Sequence, residues 1–226
     1  MFDFPLHADR IASFRSAMIE WAGREHDLLH NHLNPEANAD SQKSGFSYRY
    51  PLVQYRSYKN NATLFALNEG ADALGDVLAI NSWQILFNGR PTQLRIADLK
   101  MREHHLVATE QPQTYYLANW MALNQQNYRE WNSLNPAEQT SKLEQILTNN
   151  LVSVLRSFDA VPTERIYTRI VEAPKQRLSS YHGIRTTTFD VVFQTQMQLP
   201  NLLGIGKAVS HVYGVLRHHY TNRRSS

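Results

Sequence analysis

Ile11, Phe14, Met18 and Trp21 recur at the spacing of one helical face, with Asp9 placed as an N-cap. They predict a helix over about Ala8 to Arg24. Only Met1 to Phe4 precede it, enough for a short strand at most. Glu25 to Gly45 shows no sustained period and reads as loop or frayed helix carrying His26, His30 and His32. Phe46 to Tyr58 is rich in aromatic and β-branched residues and predicts a strand. Lys59-Asn60-Asn61 turns the chain, and Ala62 to Leu67 returns as its hairpin partner. Glu69 to Leu78 predicts a short helix, weakened by Gly70 and Gly75. Trp83 to Phe87 reads as a strand, Asn88-Gly89 as a turn, and Leu94 to Val107 as a further strand. Strand, helix, hairpin, helix, strand is the order of a ferredoxin-like unit.

A second unit starts near Gln113. Tyr115 to Leu117 predicts a strand and Asn124 to Trp131 a helix. Pro136 opens a long helix with Leu143, Ile146, Leu147, Leu151, Val154 and Leu155 on one face. Arg165 to Val171 and Thr186 to Leu199 read as a strand pair, the second alternating Phe189, Val191 and Phe193 with polar neighbours. Tyr213 to His218 reads as the closing strand. The class is therefore α+β with a suggested twofold architecture, divided into residues 1–110 and 111–226 by a polar run around Pro112.

Composition narrows the function classes. Apolar residues make up 42% and charged residues 19% of the 226, the balance of a protein with a real core. No apolar run approaches the ~18 residues of a membrane span. The start Met1-Phe2-Asp3-Phe4-Pro5 lacks the basic and then apolar regions of a signal peptide, so a cytoplasmic protein without a membrane partner is expected. With no cysteine, disulfides, thiolate metal sites and cysteine nucleophiles are excluded. The net charge is only +3, but from Arg156 onward ten Lys/Arg face four Asp/Glu, against thirteen and sixteen before it. The C-terminal third is a candidate footprint for a polyanion.

Within that third, Leu199 to Leu216 reads LPNLLGIGKAVSHVYGVL. Gly204, Gly206 and Gly214 permit positive φ and close approach of another chain. Successive N–H groups in such a run can cradle an anion beside Lys207, and a phosphate is the natural guest. The same residues also fit a tight turn before a last strand. A Walker A loop is excluded, because Asn201 and Ala208 stand where that motif needs Gly and Ser/Thr.

This stretch resembles the C-terminal glycine-rich loop of the CRISPR-associated repeat-RNA endoribonucleases of the Cas-six type, within the RAMP superfamily. Ala208 and Val212 stand where the family pattern has glycine, and His211 where it has arginine, which implies a stiffer and less basic loop. Four more segments carry the resemblance in order: Asp27-Leu28-Leu29-His30-Asn31-His32-Leu33, Tyr48 to Arg56, Leu67 to Ala71, and Trp120 to Tyr128. The likeness is to the Bacteroidetes- and Fusobacteria-like branch. It implies two tandem ferredoxin-like, or RRM-like, domains with antiparallel sheets. It also implies metal-independent cleavage of precursor CRISPR RNA within its repeats.

Such cleavage needs a base for the 2′-hydroxyl, an acid for the leaving 5′-oxygen, and groups that hold the phosphorane charge. Histidine suits both proton transfers, with an ordinary pKa of about 6.5. The resemblance places the functional histidine in the segment of His30 and His32, His30 first. Tyr48 and Tyr50 supply phenols for positioning and Arg56 a guanidinium for phosphate. One histidine of the pair also fits a purely structural role. RNA binding draws on Arg185, Gly204, Gly206, Lys207, Ser210, His211 and Arg217, with Arg177 as an addition. Tyr181 and Tyr213 are stacking candidates, although Tyr213 equally fits the core.

Trp120, Asn124 and Tyr128 read as structural, and His104-His105 and His218-His219 as surface pairs. No third or fourth ligand accompanies the His30/His32 pair, so neither a metal nor any other cofactor is expected. The implied partners are CRISPR repeat RNA and, within a CRISPR complex, other subunits. An exposed sheet edge left by the short first strand would favour a homodimer. The alternative to the enzyme is a non-catalytic repeat-RNA-binding subunit of the same fold. A small-molecule enzyme on this fold has no cofactor motif behind it.

Overall fold

A computed structural model of the chain describes residues 1–23, 29, 50–79, 83–161, 163–181 and 183–219. They form two units: Met1–Met101 with Ser210–Val212, and Arg102–Val209 with Tyr213–Ser226. His30, His32 and Tyr48 lie outside the described residues.

In the first unit the apolar helical stripe becomes α1 (Ile11–Ala22), which buries Ile11, Phe14, Ala17, Met18 and Ala22. Asp9 is not its cap: it sits in a 3-10 turn (Ala8–Arg10) and lies 3.7 Å from the Arg10 guanidinium. The turn supplies the first bonds that a capping side chain would otherwise provide. β1 (Val53–Tyr58) and β2 (Asn61–Ala66) pair antiparallel through a tight turn with positive φ at Lys59 and Asn60. α2 (Glu69–Leu78) follows, and then a second hairpin of β3 (Gln84–Phe87) and β4 (Arg90–Gln93). β4 carries Pro91, which hides it from a strand reading, and it is tolerated because among the described residues the sheet has only these two strands.

The N-terminal residues complete the sheet without forming a regular strand. Phe2 N–H donates to Ala62, Ala62 N–H to Phe4 and Leu6 N–H to Asn60, while on the other side Asp3 N–H donates to Arg95 and Ala97 N–H to Met1. Met1 to Leu6 therefore lies between β2 and the Arg95 region, inside the sheet, and is not the exposed edge expected from its shortness. The spatial order is that of a ferredoxin-like unit, with the β3–β4 hairpin as an insertion. Its core gathers Phe2, Leu6, Phe14, Met18, Tyr55, Val77 and Ile85, with Phe14 edge-on to Tyr55 at 6.2 Å.

Leu94 to Val107 is not a strand. Its apolar residues change phase, Leu94 and Ile96 followed by Leu99 and Met101, so no single face could be buried. Leu94 is buried, while Leu99 and Met101 are exposed.

The second unit is built on β5 (Ala108–Trp120), much longer than the three apolar residues that announced it. α3 (Gln125–Asn132) is capped by the Asn124 side chain, which accepts from Asn127 N–H at 2.7 Å. α4 (Pro136–Arg156) starts at a full capping box, with Asn135 and Glu138 each accepting from the other's backbone, and buries Leu143, Leu147, Leu151, Val154 and Leu155. β6 (Thr168–Ile170), β7 (Lys175–Tyr181), β8 (Ile184–Met197) and β9 (Val215–His218) complete an antiparallel sheet in the order β6-β8-β5-β9, with β7 also on β8. β7 escaped the sequence reading because it is exposed along nearly its whole length and shows no apolar alternation. Phe189, Val191 and Phe193 of β8 point to the helical side, where Trp131 meets Phe189 edge-on at 5.3 Å.

Between β8 and β9 no helix forms. Leu202 N–H donates to Leu216, Leu216 N–H to Leu203, and Ile205 N–H to Gly214 at 2.8 Å, so the glycine-rich run lies along the outer edge of β9. Gly206 has φ +98°, and a Cβ there would fall 2.7 Å from Trp120 Nε1. Gly214 has φ +61°, and a Cβ there would overlap the Ile205 carbonyl. Ala208 takes φ +54° in spite of its methyl group, at a cost of about 1–2 kcal/mol.

Two opposite substitutions check this account by urea unfolding. Gly214→Ala should lower the unfolding free energy by about 2 kcal/mol or more. Ala208→Gly should raise it by up to about 1 kcal/mol, the released strain being partly offset by unfolded-state entropy. A neutral Gly214→Ala would mean that the run does not hold this path.

Candidate nucleic-acid interface

Arg56 was expected to meet phosphate, but its side chain points into the first unit and is 1% exposed. It faces the interior because β1 is buried from Val53 through Arg56. One terminal nitrogen donates to the carbonyls of Tyr55 and His211, and the other to Gln54 Oε1. Gln54 is itself buried and donates to the Tyr50 hydroxyl at 2.8 Å and to the Pro51 carbonyl. Burial pulls the guanidinium pKa down to about 10, with Tyr50 acting in the opposite sense. Arg56 thus ties β1 to the peptide of His211. A second tie runs beside it, from Tyr55 N–H to the Ser210 carbonyl at 3.3 Å. Val212 packs against the core of the same unit. The three residues of the glycine-rich run that belong to the first unit are therefore held by one strand.

The remaining sequence candidates separate by exposure. Lys207 is exposed, Ser210 and His211 are half-buried, and Gly204 is buried in a bridge to Val215. Arg185 is exposed beside the β7–β8 turn, in register with Ser180. Arg217 is exposed on β9, opposite Tyr116. Tyr213 belongs to the core: it is 4% exposed, donates to the Ser180 carbonyl at 2.7 Å, and meets Tyr181 edge-on. Burial pushes its phenol pKa up.

Trp120, Asn124 and Tyr128 have structural partners. Trp120 Nε1 donates to Asn150, Asn124 caps α3, and the Tyr128 hydroxyl accepts from Gln176. His104 and His105 are exposed. His218 and His219 are half-buried and not simple surface residues: His218 lies against Tyr115 at 5.1 Å, and His219 is 3.8 Å from Glu172. Burial, helped by His104, lowers the His218 pKa. Among the described residues no three His, Asp or Glu side chains cluster to hold a metal ion.

A buried polar cluster in the second unit escaped the sequence reading. Asp190 is 5% exposed and accepts from Asn119 N–H at 2.8 Å and from Arg177 Nε at 2.6 Å. Asn119 has φ +52° at the point where β5 slips register against β8, and its Oδ1 accepts from Ser179 and Thr188. Its carbonyl accepts from Gly214 N–H at 3.1 Å, so the irregularity in β5 anchors the end of the glycine-rich run. The available signal was a carboxylate set among Phe189, Val191, Val192 and Phe193.

Comparison with known proteins follows the same division. The Cas6b N-terminal domain model matches residues 2–105, and the Cas6b C-terminal domain model matches residues 107–219. The chain belongs to the Cas6b family. A crystal structure of Cas6b superposes with TM-score 0.82 at 19% identity, covering 96% of this chain and 95% of that one. A structure of the CRISPR RNA processing endoribonuclease Cas6b gives TM-score 0.61 at 19% identity over 76% of this chain and 83% of that one. At this identity both speak for the fold. An uncharacterized protein of Methanocaldococcus jannaschii is 30% identical over 99 residues, 44% of this chain and 67% of its own length.

The tie at Arg56 makes a prediction about stability. Arg56→Met leaves the His211 carbonyl and Gln54 without their donor and should cost about 2–3 kcal/mol in urea unfolding. Arg56→Lys should recover less than half, since an ammonium cannot reproduce the planar fork. Full stability of Arg56→Met would show that the tie carries no weight.

Proposed function

We propose that this protein cuts precursor CRISPR RNA within its repeats, as a metal-independent endoribonuclease. The carrying observation is membership of the Cas6b family across both units, together with the sequence His30-Asn31-His32 ahead of β1. One histidine takes the proton of a 2′-hydroxyl, and the oxygen attacks the adjacent phosphorus. The bond to the 5′-oxygen breaks, and the second histidine protonates that oxygen as it leaves. The products are a 2′,3′-cyclic phosphate and a 5′-hydroxyl. Tyr48 positions the scissile phosphate. Lys207, Ser210 and His211 meet the RNA backbone along the glycine-rich run, with Gly204 and Gly206 giving that run its path, and Arg185 and Arg217 extend the contact.

Arg56 enters this reading as a residue that positions the His211 peptide, because its burial supports an interior role. The resulting guide RNA and any further subunits of a CRISPR complex are the partners.

One observation favours a second reading, a subunit that holds repeat RNA without cutting it. The run has Ala208 and Val212 in place of glycines, and Val212 is committed to core packing. Incubation of a labelled repeat transcript in EDTA decides between the two. For the enzyme, wild type cuts, and either His30→Ala or His32→Ala loses at least a hundredfold in rate while keeping its RNA affinity. Tight binding by wild type with no product would leave only the holding role.

A further inference from the structure

Both faces of β1 are buried, and they hold different parts of the chain. Gln54 and Arg56 point to one side, where Arg56 takes the His211 carbonyl. Val53 and Tyr55 point to the other, into the core shared with α1. There the Tyr55 side chain, 0% exposed, donates its hydroxyl proton to the Leu29 carbonyl at 3.4 Å. Leu29 is itself buried in the same core cluster as Phe14 and Met18. The Tyr55 ring is held in place: Phe14 meets it edge-on at 6.2 Å, and the Arg15 guanidinium lies 5.9 Å from its centre. Burial pushes the phenol pKa up, against a smaller opposite pull from Arg15, so the hydroxyl keeps its proton and donates.

A buried hydroxyl without an acceptor is costly, and the Leu29 carbonyl supplies the acceptor. That carbonyl is half of the peptide unit whose nitrogen belongs to His30. The unit is planar and does not rotate about its C–N bond, so the hold on one half reaches the other. Tyr55 also acts through its backbone, since its N–H donates to the Ser210 carbonyl at 3.3 Å. Leu29, β1 and Ser210 to Val212 all belong to the first unit. One residue thus meets both the chain entering the histidine segment and the glycine-rich run. The core alone does not ask for this, because a phenylalanine would fill the same space.

We propose that Tyr55 is a positioning residue for the cleavage reaction: its phenol fixes the peptide that leads into His30, and its amide fixes Ser210, so that β1 sets the distance between the two. The proposal rests on the endoribonuclease reading and adds to it a residue that meets no substrate. A misplacement of about 1 Å can cost a reaction on the order of a hundredfold in rate. A hold exerted through one hydroxyl therefore shows in the rate of cutting and not in RNA affinity.

The test is single-turnover cutting of a labelled repeat RNA in EDTA, with affinity for an uncleavable 2′-deoxy analogue measured beside it. Tyr55→Phe keeps the ring and the N–H and removes only the hydroxyl. It should cut about tenfold more slowly at saturating protein and bind the analogue as wild type does. In protein carrying isotope-labelled histidine, the ring signals of His30 and His32 should move by nuclear magnetic resonance while that of His105 stays. Ile85→Val, a core change of similar cost to stability in the same unit, should leave rate and signals at their wild-type values. A wild-type rate in folded Tyr55→Phe, unmoved His30 and His32 signals, or an equal loss of rate in Ile85→Val would each overturn this proposal and leave the endoribonuclease reading intact. Wild type that binds the RNA without cutting it would overturn both. Should Tyr55→Phe fail to fold by circular dichroism, Leu29→Ala decides, since it loosens the same peptide from its own side chain. A slower rate with affinity kept then supports the proposal, and a wild-type rate overturns it.

Discussion

A guanidinium with 1% exposure is costly unless nearly all its donors are met. In this chain Arg56 is met by Gln54 on its own strand and by two carbonyls, one of them from His211, 155 residues later. That requirement dictates the path of Ser210 to Val212, which must run beside β1 to deliver the carbonyl. The second unit has its own constraints on the run. Gly214 must turn with positive φ close over the Ile205 carbonyl, Gly206 must pass Trp120 with no side chain, and Asn119 must twist to receive Gly214 N–H. Each part of the glycine-rich run is thus shaped by its attachments within its own unit and not by its own flexibility. Ala208 shows the same point, since the backbone stays in the left-handed region with a methyl group present.

Local chemistry made most of the fold legible. The stripe of α1, the bounds of α2, both tight hairpin turns, the Asn124 cap and the Pro136 start all follow from short-range rules. What could not be read were elements defined by a partner. β4 and β7 are strands because a neighbour offers hydrogen bonds, and neither has the alternation that burial imprints. The Leu94 to Val107 segment failed in the opposite direction: it has strand-like residues but no constant face. The N-terminal segment reads as a short strand that would leave an exposed edge, yet its few backbone bonds join two parts of the sheet.

For the candidate site, the sequence supplied residue types and the structure supplied their exposure. Exposed Lys207, Arg185 and Arg217 lie where a basic C-terminal third would put them. Arg56 was misjudged because a cation in a strand reads as a surface residue until the burial of its neighbours is known. Asp190 was passed over for the mirror-image reason, as a polar interruption in an apolar strand. Both are buried charges with one partner distant in sequence, His211 for Arg56 and Asn119 for Asp190. His30, His32 and Tyr48, outside the described residues, rest on the sequence and the family alone.

The central claim is that RNA lies along the glycine-rich run, in which Arg56 holds the peptide of His211. Photo-cross-linking of a repeat RNA substituted with 4-thiouridine, followed by mass spectrometry of the linked peptides, tests it most directly. The account predicts cross-links within Lys207 to His211, lost or displaced in Arg56→Met under conditions where that variant remains folded. Cross-links from wild type confined to other parts of the chain, or unchanged at Lys207 to His211 in Arg56→Met, would contradict it.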